Sequence, residues 1–543
     1  MNSRRPFYRK LIYLGIMVGL LLPMAYISRP AGGGVGGRAP GGVLARLRTE
    51  NGLSQANLGE IDPASETIKL ATLGMRGVAV NLLWERANHY QKTKNWSALN
   101  NTVRQIIHLQ PNFVSVWVFQ GWNLSYNVSA EWDDYRDRYH WVVEGIKFLL
   151  QGTRFNVDNT RLLSDIGRFT GHKIGRSDER RQFRRMFRED DDFPENGDRT
   201  AEERDNWLVG RDWYLRAEQA VARGAPVKGG SELMFYTSAP LWRINYAIDL
   251  EVDGGPDGRA VFGDNARRAW EGALGDWVAF GRRDVLATSG ETIQLDTVAP
   301  LRKEIGRINS QLVALAGDLR MQVGEERHGA LPPEEKKILI EQLRNPDPAR
   351  QDEVNVIATK VYVPWADVIV QLEGDKRKQA EELNDRMLEL AKLYARTDNY
   401  SNQINYENWL LRCTYESQPA TVQARERIYL GELAHQIDAD MVAAQKNYEA
   451  GFAQWRLVLD KYPELLSDGL MLSDLMEPIQ RYQQVMVNGL GNEFPDPFVL
   501  KDVMDAYARA QVGSPMPGGV DMQEMMRNGG MPVIPGGAGP SPR

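Results

Sequence analysis

The sequence predicts an all-α protein in which helical hairpins repeat along the chain. Two observations carry this prediction. Apolar residues recur at i, i+4 and i+7 in two successive runs, which are Leu83, Ala87 and Tyr90, then Leu99, Val103 and Ile106. Trp117 lies 34 residues after Leu83 and opens the same pattern again. A period of this length indicates an array of helix pairs, in which each pair buries its apolar face against its neighbours.

The first hairpin is the best defined. The polar stretch from Lys92 to Trp96 is short enough to be a turn between two helices. Pro111 cannot continue a helix, so it sets the end of the pair. The small side chain of Ala87 lets the two helices approach each other closely.

Weaker copies follow. Trp117, Gly121 and Leu124 repeat the first helix, whereas Gly145, Leu149, Gly152 and Val157 repeat the second. We expect about a dozen extra residues around Trp132, Tyr135 and Tyr139 to separate these two helices. Leu163 and Gly167 begin a third copy, which a charged insertion near 173–206 interrupts. Further helices are predicted around Trp213, Ala217 and Ala220, around Trp242, Tyr246 and Ala247, and around Ala266, Trp270, Ala273 and Trp277.

Longer helices are predicted after residue 300. The pattern Leu301, Ile305, Ile308, Leu312, Leu315 and Leu319 has helical period, and with a helix from Pro332 to Leu343 it suggests a long hairpin. A second long amphipathic helix is expected from Asp375 to Ala395. Tyr448, Phe452, Trp455 and Leu459 precede Pro463 and look like the last helix of the repeat type.

These residues resemble the tetratricopeptide-repeat (TPR) superfamily over roughly 66–280 and again over about 396–490. The overall layout is also similar to a group of uncharacterised bacterial membrane-anchored repeat proteins, some of which carry a label mentioning an iron-responsive element. The resemblance implies a TPR-like solenoid with a long helical hairpin inserted in it. It further implies protein–protein interaction as the function, whereas no metal-ligand cluster in the sequence supports a role for iron.

The amino terminus predicts a membrane anchor. Arg4, Arg5, Arg9 and Lys10 precede the uncharged run Leu11–Ile27, which as a helix would span about 25 Å at 1.5 Å per residue. No convincing cleavage site follows, so we expect an uncleaved, single-pass signal anchor rather than a signal peptide. The basic flank favours a cytoplasmic amino terminus with the bulk of the chain on the extracytoplasmic, periplasmic side. The paired arginines also resemble a twin-arginine export signal, which would export the same part of the chain.

The predicted organisation therefore has six parts. Residues 1–28 are the basic flank and transmembrane helix, and 29–65 are a Gly/Pro-rich flexible spacer. Residues 66–281 are TPR-like repeats, 282–395 are long amphipathic helices and 396–510 are further TPR-like helices. The tail, 511–543, is rich in Gly, Pro and Met and is expected to be disordered.

The composition argues against several classes of function. A net charge of −6 argues against general nucleic-acid binding. The six histidines lack the spacing of helical metal sites, and Cys413 is the only cysteine, so we expect it to be a small buried apolar residue. The sequence predicts neither a cofactor nor a metal.

One basic segment could contact a membrane or nucleic acid. It contains Arg180, Arg181, Arg184, Arg185 and Arg188, with Phe183 and Phe187 one helical turn apart. Because the acidic run 189–192 follows at once and can neutralise it, a solvated charged helix is the favoured interpretation.

The resemblance implies that the binding surface lies on the first helix of each pair, at the positions next to its buried apolar face. Asn, Arg and aromatic side chains there could grip an extended peptide, although the tryptophans could equally pack between repeats. The candidate residues are Asn81, Trp84, Asn88, Trp122, Tyr126, Arg161, Arg168 and His172.

We therefore predict a non-catalytic, membrane-anchored scaffold that binds one or more protein partners. One alternative is an exported hydrolase with paired carboxylates in the divergent region 173–375, although sequence cannot show the separation that such a pair needs. Another is a structural envelope protein that self-associates through its long helices.

Overall fold

The computed structural model describes residues 76–512 except 195, 202, 256–258, 289 and 345–349, together with residue 19 and the pairs 33–34 and 37–38. This part of the chain is overwhelmingly helical, which confirms the all-α prediction. The α-helices are α1 (Arg76–Lys92), α2 (Trp96–Leu109), α3 (Val114–Trp122), α4 (Tyr135–Phe155), α5 (Thr160–Arg168), α6 (Arg180–Glu189), α7 (Asn206–Ala222), α8 (Glu232–Val252), α9 (Gly263–Gly281), α10 (Val298–Ala330), α11 (Pro333–Arg344), α12 (Gln351–Val361), α13 (Trp365–Ile369), α14 (Gly374–Gln403), α15 (Tyr406–Glu416), α16 (Pro419–Gln436), α17 (Met441–Lys461), α18 (Gly469–Gln484) and α19 (Lys501–Val512).

Shorter elements complete the description. Within the described residues, three π-helical segments, Asn123–Val128, Phe169–Lys173 and Val485–Gly489, directly continue α3, α5 and α18. The 3₁₀ segments in the same part of the chain are Leu295–Thr297 and Pro463–Ser467. Two antiparallel ladders of two-residue strands pair β1 (Gly33–Gly34) with β2 (Gly37–Arg38) and β3 (Val285–Leu286) with β4 (Thr292–Ile293).

The helices form two compact units. One contains the described residues of 76–274 and 413–512, and the other contains Gly275–Arg412. The first unit is therefore built from two separate parts of the chain. The boundary expected at residue 395 falls inside α14, which continues to Gln403.

The first hairpin forms as its apolar pattern predicts. Asn95 caps α2, because its side-chain oxygen accepts a hydrogen bond from the Ala98 amide at 3.2 Å. Ala87 of α1 is fully buried against α2. Leu99, Val103 and Ile106 of α2 are likewise fully buried.

The second hairpin differs from the expectation in one respect. Tyr135 and Tyr139 do not belong to an insertion, because α4 already begins at Tyr135. Asp134 starts this helix, with its side chain accepting a hydrogen bond from the Arg136 amide at 2.7 Å. Since Tyr139 is buried among apolar side chains, the extra residues lengthen the second helix instead of separating it from the first.

Glycines set the distance between neighbouring helices. A Cβ atom added to Gly145 of α4 would lie 2.6 Å from the carbonyl oxygen of Gly121 in α3. A Cβ atom added to Gly167 of α5 would likewise lie 2.7 Å from the carbonyl oxygen of Gly210 in α7. Both crossings therefore exclude any side chain, and the backbones pack directly against each other.

The long helices of the second unit pair differently from the prediction. Helix α10 packs against α14, with α13 against both, and not in a hairpin with α11. Ile308 and Leu312 of α10 and Leu390 of α14 lie in the shared core. The pattern at 301–319 correctly predicts the buried face of α10, but periodicity carries no information about the partner of that face. The helix expected from Asp375 is confirmed and continues to Gln403.

The helix expected before Pro463 is also confirmed. Helix α17 packs against α16, and it buries Tyr448, Phe452 and Trp455. Cys413 of α15 is fully buried, as expected for a small apolar residue.

None of the described helices combines the length and hydropathy that a bilayer span requires. The predicted anchor, 11–27, lies outside the described residues apart from Gly19. The tail predicted at 511–543 lies outside them from residue 513 on, whereas its first two residues belong to α19.

Candidate partner-binding surface

Two aromatic residues form the centre of the candidate surface. The rings of Trp122 and Tyr126 stack with centroids 6.0 Å apart and an interplanar angle of 17°. Trp122 is 39% exposed, which is high for so large an apolar side chain. Tyr126 is half-buried, so Trp122 provides most of the accessible area of the pair. Large aromatic side chains offer contact area at low entropic cost and dominate protein-binding hot spots.

Basic side chains flank this pair. The Lys173 ammonium lies 4.6 Å from the centroid of the Tyr126 ring, which is a cation–π distance. Tyr126 also packs edge-on against Phe169, with centroids 5.4 Å apart. The Arg168 guanidinium lies 4.8 Å from the centroid of that same Phe169 ring. We call Trp122, Tyr126, Arg168 and Lys173, with the fully buried Phe169 beneath them, the aromatic–basic surface.

The Asp165 carboxylate pairs with two arginines at the edge of the aromatic–basic surface. Arg168 donates a hydrogen bond to Asp165 Oδ1 at 2.7 Å, and the Nε atom of Arg161 lies 3.9 Å from Asp165 Oδ2. The Asp165 side chain is 13% exposed, whereas those of Arg161 and Arg168 are 48% and 42% exposed. The two guanidiniums therefore share one carboxylate and remain accessible to solvent.

Burial changes the titration of the central groups. It raises the pKa of the Tyr126 hydroxyl, an effect that Arg168 opposes and Asp165 reinforces. The hydroxyl, which is protonated at neutral pH even at the ordinary tyrosine pKa, therefore stays protonated to a higher pH than usual. Burial also lowers the pKa of Lys173, against the opposing effect of Glu179.

The backbone beneath the surface is irregular in both contributing segments. Tyr126 lies in the π-helical segment after α3, and Phe169 and Lys173 lie in the one after α5. π-Helical turns are rare and occur frequently at functional sites. The Gly121–Gly145 and Gly167–Gly210 crossings hold the helices that lead into these two segments.

The predicted residues are only partly brought together. Trp122, Tyr126, Arg168 and Arg161 belong to or adjoin the aromatic–basic surface, and His172 lies in its second π-helical segment. Trp84 instead packs against Phe113 and Phe119, with centroids 5.7 and 4.9 Å away. Asn81 is exposed and Asn88 is half-buried on the same helix as Trp84.

Sequence reasoning missed Asp165, Phe169 and Lys173. A signal for Asp165 was present, because it lies four residues after Arg161 and three before Arg168, which is the spacing of ion pairs on one helical face. The contact of Lys173 with Tyr126 had no signal, since it joins two helices and depends on a π-helical turn.

A buried network of arginines and aspartates lies elsewhere in the same unit. The Arg184 side chain is 2% exposed, and its nitrogens lie 3.0 Å from Asp205, 3.3 Å from Asp249 and 3.4 Å from Asp253. Arg188 also donates to Asp205 at 3.0 Å. The network ties α6 to the start of α7 and to the end of α8.

Additional donors complete the network. Asp249 accepts two hydrogen bonds from Arg176, both at 2.9 Å, and one from Trp207 Nε1 at 2.6 Å. Arg180 and Arg181 each donate to Asp253 at 3.1 Å. Because each of the three carboxylates has several partners, the network can be buried without an uncompensated charge.

This network corrects the interpretation of the basic segment. Only one face of α6 is solvated, because Arg181 and Arg185 are exposed whereas Phe183, Arg184 and Phe187 are all buried. Its central charge is balanced by Asp205, Asp249 and Asp253, which are distant in sequence, and not by the adjacent acidic run. Sequence proximity was therefore a poor guide to the counter-charges.

The arginines also control the titration of the carboxylates. Burial alone would raise the pKa of Asp205, but the guanidiniums of Arg184 and Arg188 outweigh it and hold the pKa below its usual range. Arg181, Arg180 and Arg184 outweigh burial in the same way at Asp253. Both groups are thus firmly ionised at neutral pH.

Within the ranges that the structure describes, no group of three or more His, Cys, Asp or Glu is arranged to hold a metal ion. No protein-family model and no curated protein matches this chain.

Proposed function

We propose that this protein is a membrane-anchored helical scaffold that binds a protein partner through the aromatic–basic surface. The observation that carries the proposal is the stacked, partly exposed Trp122–Tyr126 pair, flanked by the cations of Arg168 and Lys173. Stacked aromatics and arginines of this kind are the usual anchors of protein interfaces. The favoured partner segment is extended, presents an apolar side chain to Trp122 and carries acidic residues for the two cations.

The proposed architecture is a TPR-like array. In its support, consecutive helices α1 to α5 pack each against the next, α5 packs against α7, and α7 against α8. Arrays of this kind present a row of parallel first helices to a ligand. Tyr126 and Phe169 follow two successive first helices, as such a row requires.

The proposed location rests on the amino-terminal sequence. The uncharged run 11–27 behind four basic residues would anchor the chain and place the helical body on the extracytoplasmic side. A protease-accessibility assay on intact and permeabilised spheroplasts tests this arrangement. Protection of the body in intact spheroplasts would place it in the cytoplasm and contradict the proposal.

The alternative function, a hydrolase with paired carboxylates in the region 173–375, is less well supported than a scaffold. The carboxylates gathered there, Asp205, Asp249 and Asp253, are all bound by arginines. A general acid needs a raised pKa, whereas the pKa values of Asp205 and Asp253 are lowered. These groups suit a structural network better than acid–base chemistry.

Self-association is a second candidate, favoured by one observation. Several large apolar side chains of the second unit are about half exposed or more, namely Val313, Met321, Val356, Tyr362, Val370 and Leu388. Such side chains can support an interface when they form a patch. Sedimentation of the full-length protein at increasing concentration tests this candidate, because a self-associating chain gains mass and a scaffold for other partners does not.

The principal experiment compares two exposed tryptophans. The full-length protein is crosslinked in its native cells and purified, and the partners of the wild type, Trp122→Ala and Trp132→Ala are quantified by mass spectrometry. Trp132 is the matched control, because it is 43% exposed and lies outside the aromatic–basic surface. We expect recovery of a specific partner to fall at least about tenfold in Trp122→Ala, as for a hot-spot residue, and to be unchanged in Trp132→Ala.

Equal recovery from both variants would refute the proposed surface. Circular dichroism of each variant guards against a folding defect, since Trp122 is partly exposed and its loss should leave the helical content unchanged. A charge-reversal variant, Arg168→Glu, supplies a second test, because it should weaken capture of an acidic partner further than Arg168→Ala does.

A further inference from the structure

A pocket of about 180 Å³ lies in the first unit, between the end of α8 and helices α15 to α18. Its walls include the aromatic rings of Tyr415, Tyr429 and Trp455. Tyr415 and Trp455 are almost completely buried, at 4% and 3% exposure, and therefore form its floor. An apolar cavity of about 150 Å³ can hold a benzene molecule, so this pocket has room for one small head group.

The charges that line this pocket are predominantly acidic. Among its described lining residues, four are carboxylates, which are Glu251, Glu432, Asp474 and Glu477, and one is basic, Arg425. Asp474 and Glu477 are exposed at the rim, whereas the Glu251 side chain is 6% exposed. The pocket consequently presents a negative potential above an aromatic floor.

Arg425 does not reverse this potential. It makes a two-point ion pair with Glu416, in which Nε donates to Oε2 at 2.7 Å, and it also lies 3.7 Å from Glu251. The two carboxylates more than balance its single charge. Arg425 is therefore poorly suited to receive an anionic ligand.

Two lining carboxylates share a second arginine. Glu432 and Glu477 both accept hydrogen bonds from Arg481. Burial raises the pKa of Glu432, and Arg481 offsets this effect while Glu477 adds to it. The ionised form of Glu432 is thus incompletely stabilised by its present neighbours, and another cation would stabilise it further.

The aromatic floor already accommodates a guanidinium. The Arg425 guanidinium carbon lies 5.8 Å from the centroid of the Trp455 ring. At the pocket wall, Tyr429 packs against Phe262 with centroids 5.2 Å apart. Aromatic faces combined with carboxylates are the common means by which proteins recognise organic cations.

We propose that this pocket binds the guanidinium or ammonium head group of an organic cation. Because Arg425 already covers the Trp455 ring, the cation lies beside the Tyr429 ring and is held by Glu432 and Glu477, with Asp474 at the entrance. This site is formed by different residues from the aromatic–basic surface, so it does not depend on the function proposed for that surface. The cation can be a free small molecule or a Lys or Arg side chain of another protein, which share the same head-group chemistry.

Isothermal titration calorimetry of the full-length protein tests the proposal. The probe is N-acetyl-L-argininamide, and its neutral control is the near-isosteric N-acetyl-L-citrullinamide. We expect saturable binding of the arginine derivative and at least about tenfold weaker binding of the citrulline derivative, because a charged hydrogen bond is lost. Propylguanidinium serves as the probe for a free cation.

Variants connect the binding to the pocket. Glu432→Gln and Glu477→Gln should each weaken binding of the arginine derivative by about tenfold. Glu464→Gln is the matched control, because Glu464 is exposed and lies outside the pocket. Should Glu432→Gln unfold, Asp474→Asn at the exposed rim provides the same test without a buried change.

The outcomes separate clearly. Similar affinities for propylguanidinium and the arginine derivative fit a protein-borne side chain whose backbone stays outside the pocket, whereas affinity for propylguanidinium alone identifies a small free cation. Both results support the proposal. Saturable binding of the arginine and citrulline derivatives with equal affinity, unchanged affinity in all the pocket variants, or no saturable binding of either cation at millimolar concentration would overturn it.

Discussion

Gly145 of α4 lies against Gly121 of α3 so closely that a Cβ atom on Gly145 would be 2.6 Å from the Gly121 carbonyl oxygen and 2.1 Å from Ser125 Oγ. The carbonyl belongs to the backbone and cannot move aside as a flexible side chain can. The two helices must therefore separate, or change their crossing angle, to admit even a methyl group.

This contact predicts that Gly145→Ala destabilises the protein by about 1–3 kcal/mol, the usual effect of overpacking a close-packed site. The measurement is the free energy of unfolding in urea. Gly306→Ala is the control, because a Cβ atom there meets nothing within 4 Å. Since alanine favours helix over glycine, the control should gain up to about 1 kcal/mol. A stability loss in the control but not in Gly145→Ala would show that this crossing is looser than described.

Arg184 gives a second prediction. Arg184→Met preserves much of the side-chain volume but leaves Asp205, Asp249 and Asp253 without their shared cation, so we expect a loss of about 3–5 kcal/mol. The neighbouring exposed residue supplies the control, and Arg185→Met should change stability by less than about 0.5 kcal/mol. Denaturant midpoints of the two variants measure the difference, and similar midpoints would contradict a structural role for the network.

The same network predicts acid sensitivity. The pKa values of Asp205 and Asp253 are lower in the folded protein than in the unfolded chain, so at falling pH the unfolded chain takes up protons first. Their contribution to stability is complete above about pH 5 and is lost as the pH falls through the unfolded value of about 3.9 toward the folded values. The free energy of unfolding, measured from pH 7 to pH 3, should therefore decrease on the acidic side.

A variant assigns part of that slope to one residue. Asp205→Asn should be less stable than the wild type at pH 7, and its stability should fall less steeply below pH 5. If the wild type and Asp205→Asn fall with the same slope, the acid sensitivity arises from other groups.

The core of the second unit gives a fourth prediction from two adjacent residues. Leu312 is completely buried between α10 and α14, whereas Val313 is 48% exposed. Leu312→Ala should cost about 2–5 kcal/mol because it leaves a cavity, and Val313→Ala should have little effect. Hydrogen exchange of the amides in 298–330 and 374–403 measures the local stability. Faster exchange in Val313→Ala than in Leu312→Ala would contradict this assignment, because it would mean that Val313 lies on the buried face of α10.

The sequence predicted the helices well where their pattern is local. The turn before Trp96, the buried stripe of α2 and the end of α17 before Pro463 follow from periodicity, capping and proline chemistry. Each of these depends on residues within one or two helical turns. The pairing of α10 with α14 could not be predicted, because about forty residues separate the two helices and several apolar faces were available.

The candidate surface was predictable only in part. Trp122, Tyr126 and Arg168 were expected from the resemblance to tetratricopeptide repeats, but the contact between Lys173 and Tyr126 depends on two segments packing together. The partners of Arg184 were missed for the same reason, since Asp249 and Asp253 lie more than sixty residues further along the chain. Long-range ion pairs carry no spacing rule comparable to that of a helix.

The two π-helical segments under the surface also affect how the repeats can be recognised. A π-turn accommodates about one residue more than an α-turn, and one residue corresponds to about 100° of rotation around a helix. Side chains after Asn123–Val128 and Phe169–Lys173 are therefore rotated relative to the positions that a uniform α-helix assigns them. A sequence profile that assumes constant pitch loses register at these points, and an alignment that allows one extra residue at each would recover related chains more sensitively.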